Sequence, residues 1–217
     1  HSKESEGSPM SEYTLHCFAE SGNAYKAALM LELTGQAWQP VFVDFFNGQT
    51  REPGWRDEVN QQGEVPVLEH AGKTFTQSAL ILEYLAEQTG QFGPRDEDEK
   101  REIWRWMLFD NHKFTSYYAA LRFLFCLKKT GETDVTRFLR ERATAAYRIV
   151  DAHLAKTPFM VGGRLTIADL SLAGYVFMPE DTGIPLVEFT HIEAWKARIQ
   201  AQPGWKHPYE LMPRTAS

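Results

Sequence analysis

The chain has 217 residues, 43% of them hydrophobic and 24% charged, with a formal net charge of −6. This is the composition of an ordinary globular protein, long enough for one large or two small domains and apolar enough to fold without a structural metal. The acidic balance argues against a nucleic-acid-binding protein, and no apolar stretch reaches the ~20 residues that cross a bilayer. Because Cys17 and Cys126 are far apart, the sequence excludes a disulfide scaffold and favours a reducing compartment, which we take to be the cytoplasm.

The first nine residues, His1 to Pro9, are polar and contain no apolar segment. A secretory signal peptide requires such a segment, so none is predicted. We expect Met10 to be the first residue of the native chain.

Strand and helix patterns alternate in the first half of the sequence. Strands are predicted at residues 13–18, 41–45, 65–69 and 74–76, and helices at 24–33, 55–60 and 77–90. Because a helix joins the first two strands, these should lie parallel, whereas the last two should form an antiparallel hairpin. The second strand is so apolar that we expect it to be mostly buried. The predicted order is βαβαββα.

The second half of the sequence is predicted to be entirely helical. After a short linker at 91–94, the helical segments are expected at 97–127, 133–156 and 191–202, with a capping box at Thr166-Ile167-Ala168-Asp169. The chain is therefore predicted to have an α/β domain at residues 11–90 and an all-α helical bundle domain at residues 97–217.

Ser21 and Asn23 lie where the first strand passes into the first helix. The first turn of a helix has unpaired N–H groups and a partial positive charge, so it stabilises an anion. In a thioredoxin-like order of elements this position holds the reactive group. With a hydroxyl instead of a Cys pair, it cannot perform dithiol–disulfide exchange but could donate a hydrogen bond to the thiolate of a ligand. The alternative is that these residues are helix caps and nothing more.

Two further segments allow a binding function and an ordinary structural one. Val65-Pro66 precedes the hairpin, where a cis peptide bond would turn the Val65 backbone towards a ligand, whereas a trans proline would only mark an edge strand. Gln77-Ser78 begins the third helix, where the amide, the hydroxyl and the helix N–H groups could bind a carboxylate or could only cap the helix.

Taken together, these three segments resemble the cytosolic glutathione S-transferase family. The resemblance extends over residues 13–205 and is closest to bacterial, serine-type, theta- and zeta-like members. The stretches that match are residues 21–26, 60–68, 76–85, 166–169 and 195–205.

The resemblance implies a thioredoxin-like domain that binds glutathione and a helical domain that supplies most of the acceptor pocket. It implies that Ser21 is the catalytic serine, with Asn23 able to share the thiolate contact. Val65, followed by Pro66, would pair through its backbone with the cysteinyl part of glutathione, and Gln77 and Ser78 would hold the γ-glutamyl group. It also implies a homodimer and no metal cofactor.

The remaining site predictions concern the positively charged Arg51 and three aromatic residues. Arg51 lies in the loop where related enzymes bind the glycyl carboxylate, and we expect it to supply that charge. Most aromatic residues between 104 and 125 are expected to pack in the core or in a dimer interface. Those that we expect to line an apolar substrate pocket in the interdomain cleft are Trp106, Phe109 and Tyr117.

Three functions are compatible with these residues. The first is a glutathione transferase that conjugates glutathione to small electrophilic, largely apolar substrates, with no nucleic-acid or membrane partner. The second is a non-catalytic module of the same fold that binds a ligand or a protein. The third is a specialised glutathione-dependent isomerase, peroxidase or dehalogenase.

Overall fold

Residues 12–217 are described by the structure, a computed structural model, so the predictions for His1 to Pro9 and Met10 lie outside the described residues. The first half forms a mixed sheet with three helices. Its strands are β1 (Tyr13–Cys17), β2 (Trp38–Phe42), β3 (Val67–His70) and β4 (Lys73–Thr76). Its helices are α1 (Gly22–Leu33), α2 (Pro53–Glu58) and α3 (Ser78–Thr89).

The sheet has the strand order β2-β1-β3-β4. β1 and β2 are parallel, and β3 pairs antiparallel with both β1 and β4. The parallel pair and the hairpin confirm the predicted order βαβαββα, and this domain has the thioredoxin-like fold.

The prediction for the second strand was wrong in both position and burial. β2 begins at Trp38 and ends at Phe42, and its three central residues are exposed. It lies at the edge of the sheet, where a proline such as Pro40 is tolerated because one side of the strand needs no partner. The buried apolar residue is Val43, just after the strand, and Phe45 already begins a 3₁₀ turn.

The second half contains six α-helices, α4 (Glu97–Phe109), α5 (Thr115–Arg122), α6 (Asp134–Leu154), α7 (Ile167–Leu172), α8 (Thr190–Gln200) and α9 (Pro208–Leu211). π-helical turns at Asp110–Phe114 and Phe123–Leu127 join α4 and α5 into one helical region that ends at the predicted residue. No helix within residues 12–217 has the length and apolar character needed to cross a membrane.

The predicted capping box begins α7. The Asp169 carboxylate accepts the backbone N–H of Thr166 at 2.9 Å, and the Thr166 hydroxyl accepts that of Ala168 at 3.3 Å. The same carboxylate accepts the indole N–H of Trp195 at 2.8 Å, which ties α7 to α8. This reciprocal capping confirms the prediction made for residues 166–169.

The two halves meet at the first turn of α1. A Cβ on Gly22 would lie 2.4 Å from the ring of Tyr175, so only glycine permits this approach. One turn further along α1, the ammonium of Lys26 contacts the Asp110 carboxylate at 2.8 Å, and both side chains are wholly buried. Ser171 also donates to this carboxylate, at 2.7 Å. The start of α1 is therefore held rigidly against the helical domain.

Candidate functional site

Two adjoining cavities lie at the start of α1, between the halves of the molecule. One, of about 350 Å³, is lined by Ser21, Asn23 and Val65 and by the helical residues Ala119 and Phe123. The other, of about 330 Å³, shares Asn23 and Val65 and continues to Gln77 and Ser78. The structure therefore brings together, in one cleft, the sequence-predicted residues Ser21, Asn23, Val65, Pro66, Gln77 and Ser78.

Ser21 caps α1 and faces the cleft at the same time. Its Oγ accepts the backbone N–H of Ala24 at 3.1 Å, and the side chain is buried. A hydroxyl that accepts this bond still has its own proton to donate. The first turn of α1 contains no acidic residue, so none of its own side chains offsets its partial positive charge. The capping function and the proposed thiolate contact are therefore compatible.

The Val65-Pro66 peptide bond is cis. It lies just before β3, whose pairing with β1 begins at Val67. The backbone N–H and C=O of Val65 make no hydrogen bond to any of the residues from 12 to 217. Both groups can therefore pair with the backbone of an extended ligand, as β-strand addition requires.

Gln77 and Ser78 begin α3 next to two polar side chains of the loop before β3. Gln77 has a positive φ of 73°, and its Nε2 donates to Gln62 at 2.9 Å and to Glu64 at 3.3 Å. Glu64 lines both cavities, although sequence reasoning did not select it. A carboxylate acceptor beside a helix N-terminus matches a ligand group that carries an ammonium and a carboxylate on one carbon.

Arg122 is the main functional candidate that the sequence analysis missed. It lines the cavity with Ser21 and is 2% exposed. Its guanidinium donates to the backbone carbonyl of Glu20 at 2.8 Å and pairs with Glu180 at 2.9 Å. Tyr209 contacts both members of this ion pair. Arg122 thus fixes the residue before Ser21 and adds a positive charge to the cavity.

Tyr175 is a second missed candidate in this cavity. Burial raises the pKa of its phenol, while Arg122 and the backbone N–H groups of Gly22 and Asn23 oppose that shift. The Tyr175 ring packs against Gly22, the first residue of α1, in the wall of this cavity. A neutral tyrosine hydroxyl in this position could donate a hydrogen bond to an anion.

Arg51 lies outside both of these cavities. It lines a third cavity of about 430 Å³ together with Arg56 and Lys128. This cavity shares Phe45 and Phe123 with the cavity at Ser21, so the two adjoin. The Nε of Arg56 donates to the Thr50 carbonyl at 2.9 Å, which holds its guanidinium beside the loop.

The predicted pocket residues lie elsewhere. Trp106 is buried against His153 of α6, with ring centres 4.6 Å apart, and Phe109 packs on Trp106. Tyr117 packs on Phe138 of α6. The apolar residues that do line the cavity at Ser21 are Phe18, Phe45, Phe46, Ala119, Ala120, Phe123 and Leu127.

Neither cysteine has the features of a nucleophile. Cys17 is buried in β1, and burial raises the pKa of its thiol to about 12. Burial also raises the pKa of the Cys126 thiol, whose Sγ donates to the Asp181 carbonyl at 3.2 Å. Within residues 12–217, no group of three or more His, Cys, Asp or Glu side chains has the arrangement of a metal site.

Two family models match the chain. The glutathione S-transferase N-terminal domain matches residues 11–87, and the C-terminal domain of the same family matches residues 116–203. A maleylacetoacetate isomerase from Rhizobium meliloti (strain 1021) is 31% identical over 177 residues, covering 76% of this chain and 81% of the relative. Glutathione S-transferase F14 from Arabidopsis thaliana is 25% identical over 209 residues, covering 90% of this chain and 82% of the relative.

A solved structure shows the same likeness. A protein from Rhodopseudomonas palustris, described as a possible glutathione S-transferase, superposes with a TM-score of 0.84 at 32% identity, covering 90% of this chain and 97% of that one. The two family models together cover most of the sequence and both domains. The chain therefore belongs to the glutathione S-transferase family of enzymes.

Proposed function

We propose that this enzyme binds glutathione with its sulfur at the start of α1 and conjugates it to small, largely apolar electrophiles. The observation that supports this most directly is the single cleft lined by Ser21, Val65, Gln77 and Ser78. We further propose that the enzyme acts in the cytoplasm as a homodimer, as members of this family typically do.

Each part of glutathione has a complementary group in the cleft or in the third cavity beside it. The Val65 backbone pairs with the cysteinyl residue, and Ser78 with the N-terminus of α3 binds the γ-glutamyl carboxylate. The Glu64 carboxylate accepts a hydrogen bond from the γ-glutamyl ammonium, and the Gln77 amide donates one to the γ-glutamyl carboxylate. Arg51 binds the glycyl carboxylate. A transferase of the same fold from Pseudomonas putida, 20% identical with a TM-score of 0.80, was solved with glutathione disulfide bound.

The catalytic task is to hold the thiol as a thiolate at neutral pH. An ordinary cysteine thiol has a pKa near ~8.5, and lowering it by about two units requires roughly 2.7 kcal/mol. A helix N-terminus contributes roughly 0.3–2 kcal/mol, and a hydrogen bond to a charged group roughly 1.5–3 kcal/mol. The start of α1 and the Ser21 hydroxyl are therefore sufficient together, with Tyr175 and Arg122 as additional stabilising groups.

The reaction then needs little more than proximity. The thiol proton passes to solvent, and the sulfur forms a bond to the electrophilic carbon. In a substitution, the leaving group departs with the electron pair of the bond that breaks. The walls formed by Phe45 and Phe123 exclude water from this step and position the acceptor.

A glutathione-dependent isomerase is the second candidate function. The observation that favours it is the 31% identity with a maleylacetoacetate isomerase over most of both chains. An isomerase would return glutathione unchanged, whereas a transferase consumes one glutathione for each product.

The test is an ultraviolet titration of thiolate absorbance with glutathione bound. In Ser21→Ala we expect the pKa of the bound thiol to rise by about one to two units, because one hydrogen bond to the thiolate is lost. Thr133→Ala is the matched control, since Thr133 caps α6 through its hydroxyl in the same way but lies outside the cleft. Tyr175→Phe measures the contribution of the second hydroxyl.

The Thr133→Ala control distinguishes a loss of protein stability from a loss of activation of the glutathione thiol. Both alanine variants should destabilise the fold by about 1 kcal/mol, the usual cost of a missing N-cap. Only Ser21→Ala should change the thiol pKa and slow conjugation. An unchanged thiol pKa and unchanged turnover in Ser21→Ala would refute the role proposed for this hydroxyl.

A further inference from the structure

The third cavity has an unusual charge for this protein. Arg51, Arg56 and Lys128 line it, and none of the residues that line it is acidic. The chain as a whole carries six more acidic than basic side chains, so this concentration of positive charge opposes the overall balance. Such a local field attracts anions.

These three cations also lack the carboxylate partners that four basic residues elsewhere in the chain have. Lys26, Arg122, Arg140 and Arg164 all pair with carboxylates at 2.9 Å or closer. Arg51, Arg56 and Lys128 form no ion pair with any residue that the structure describes. Their charges are therefore available to a ligand.

The walls of this cavity are aromatic and come from both domains. Phe45 stacks on Phe18, with ring centres 4.9 Å apart, and meets Phe123 of the helical domain edge-on at 5.9 Å. Phe46 is half exposed at the same place, and Lys128 lies 5.4 Å from the ring centre of Phe123. The cavity that these rings line, about 430 Å³, has room for a flat aromatic body packed against them, with its charged group beside the cations.

Glutathione alone does not account for the three charges. Its glycyl group brings one carboxylate to this end of the cleft, for which Arg51 is the proposed partner. Lys128 belongs to the helical domain, on the wall that faces Phe45, and thus on the acceptor side. The cavity adjoins that of Ser21 and shares Phe45 and Phe123 with it, so an acceptor held here lies next to the proposed position of the glutathione sulfur.

We propose that the acceptor substrate is an aromatic electrophile that carries a carboxylate, and that Lys128 and Arg56 bind this carboxylate. The role as an acceptor site rests on the proposed glutathione transferase function. The anion selectivity rests only on the cavity and is measurable without turnover.

The test compares acceptors that differ in charge alone. For turnover, the pair is 4-chloro-3,5-dinitrobenzoate and its carboxamide, with each enzymatic kcat/KM divided by the rate constant of the uncatalysed reaction with glutathione. In this reaction the sulfur bonds to the ring carbon and chloride leaves. For binding, calorimetry uses 3,5-dinitrobenzoate and 3,5-dinitrobenzamide, which have no leaving group. We expect the carboxylate to be favoured about fivefold or more in both measurements.

Variants then locate the source of the preference. Lys128→Gln should reduce it by about two- to fivefold, and Lys128→Glu should reverse it. Lys129→Gln is the matched control, because it removes the neighbouring exposed charge, which does not line the cavity. Raising the salt concentration to ~0.5 M should lower the preference of the wild-type protein.

Each outcome has one meaning. A carboxylate preference in binding and turnover that Lys128→Gln lowers and Lys129→Gln leaves intact supports the proposal. The same preference in binding, with no turnover of either acceptor, supports the anion site and overturns its assignment as the acceptor site, whereas the transferase function itself is tested by the thiolate titration of Ser21→Ala. Equal affinities for the two ligands, or an equal loss in both variants, would overturn the inference.

Discussion

The basic residues around the cleft form two groups that differ in burial and in partners. Lys26 and Arg122 are buried and bind carboxylates, at 2.8 Å and 2.9 Å. Arg51, Arg56 and Lys128 are exposed and form no ion pair with a residue in the range 12–217. A buried charge must be compensated within the protein, whereas an exposed one can remain solvated until a ligand arrives.

This difference separates structural charge from charge that is available for binding. The buried group holds the start of α1 against the helical domain and fixes the residue before Ser21. The exposed group lines a cavity that adjoins the one at Ser21. Substitutions in the first group should therefore reduce stability, and those in the second group should change ligand affinity while leaving the fold intact.

The largest effect is expected for Asp110→Ala. This variant leaves the buried ammonium of Lys26 without its partner, and an unpaired buried charge costs about 3–5 kcal/mol. Urea unfolding should show this loss. The double variant Lys26→Met/Asp110→Asn should recover most of it, because it removes both charges and keeps an amide oxygen that accepts the Ser171 hydroxyl. A loss in Asp110→Ala below about 1 kcal/mol would show that the pair does not hold the domains together.

Arg122→Met should have the next largest effect, on both stability and activity. It removes the donor to the Glu20 carbonyl and the partner of Glu180, for a loss of about 2–4 kcal/mol. The substitution should also raise the pKa of the thiol of bound glutathione, because it removes a positive charge from the cavity.

The matched control for Arg122 is Arg140→Met. Arg140 also pairs with a carboxylate, that of Glu132, and donates to a backbone carbonyl, that of Thr182, but it lies outside the cavity at Ser21. The Arg140→Met variant should have a lower free energy of unfolding but an unchanged pKa of the glutathione thiol. If both variants shift the thiol pKa equally, the effect of Arg122 is not local.

A smaller effect is expected when the pH is lowered. Burial raises the pKa of Glu180, but the hydrogen bonds from Arg122 and Tyr209 outweigh it, so the pKa lies below its ordinary value of 4.5. The ionised carboxylate therefore stabilises the fold above the ordinary pKa, and this contribution is lost as the pH falls through the lowered pKa.

Unfolding free energies measured between pH 6 and pH 3 check this sign. The wild-type protein should lose stability on acidification more steeply than Glu180→Gln, which has no such carboxylate to protonate. Parallel pH profiles for the two proteins would contradict the assignment.

The parts of the site that could be predicted from the sequence depend on local signals. Ser21 and Thr166 were identified because an N-cap acts within three residues, and Pro66 because a proline before a hairpin is a local feature. The order of strands and helices followed from periodicity and connection length. These signals need no knowledge of distant contacts.

The pocket residues could not be predicted because they depend on helix phase and on distant pairs. Each π turn adds a residue to the helical repeat, so the two turns after Phe109 and Arg122 shift the faces that later side chains occupy. Trp106 and Tyr117 were selected only as aromatic residues of this region, and both pack against α6, a contact that no local pattern indicates. The partner of Arg122 is 58 residues away in sequence, and no local pattern indicates it.

The smallest change in stability is expected for Arg51→Gln, and it tests the exposed group directly. Because Arg51 is exposed and has no carboxylate partner in the described part of the chain, its replacement should alter the unfolding free energy by no more than about 0.5 kcal/mol. The dissociation constant for glutathione should nevertheless rise about two- to fivefold, because the glycyl carboxylate loses an exposed ion pair.

Calorimetry with glutathione and with its glycine-amide analogue separates the contribution of the carboxylate from that of the rest of the ligand. The analogue lacks the carboxylate, so its affinity should be the same in the wild-type protein and in Arg51→Gln. If the variant weakens both ligands equally, Arg51 acts on the loop and not on the carboxylate, and the contrast between the buried and the exposed cations fails at this residue.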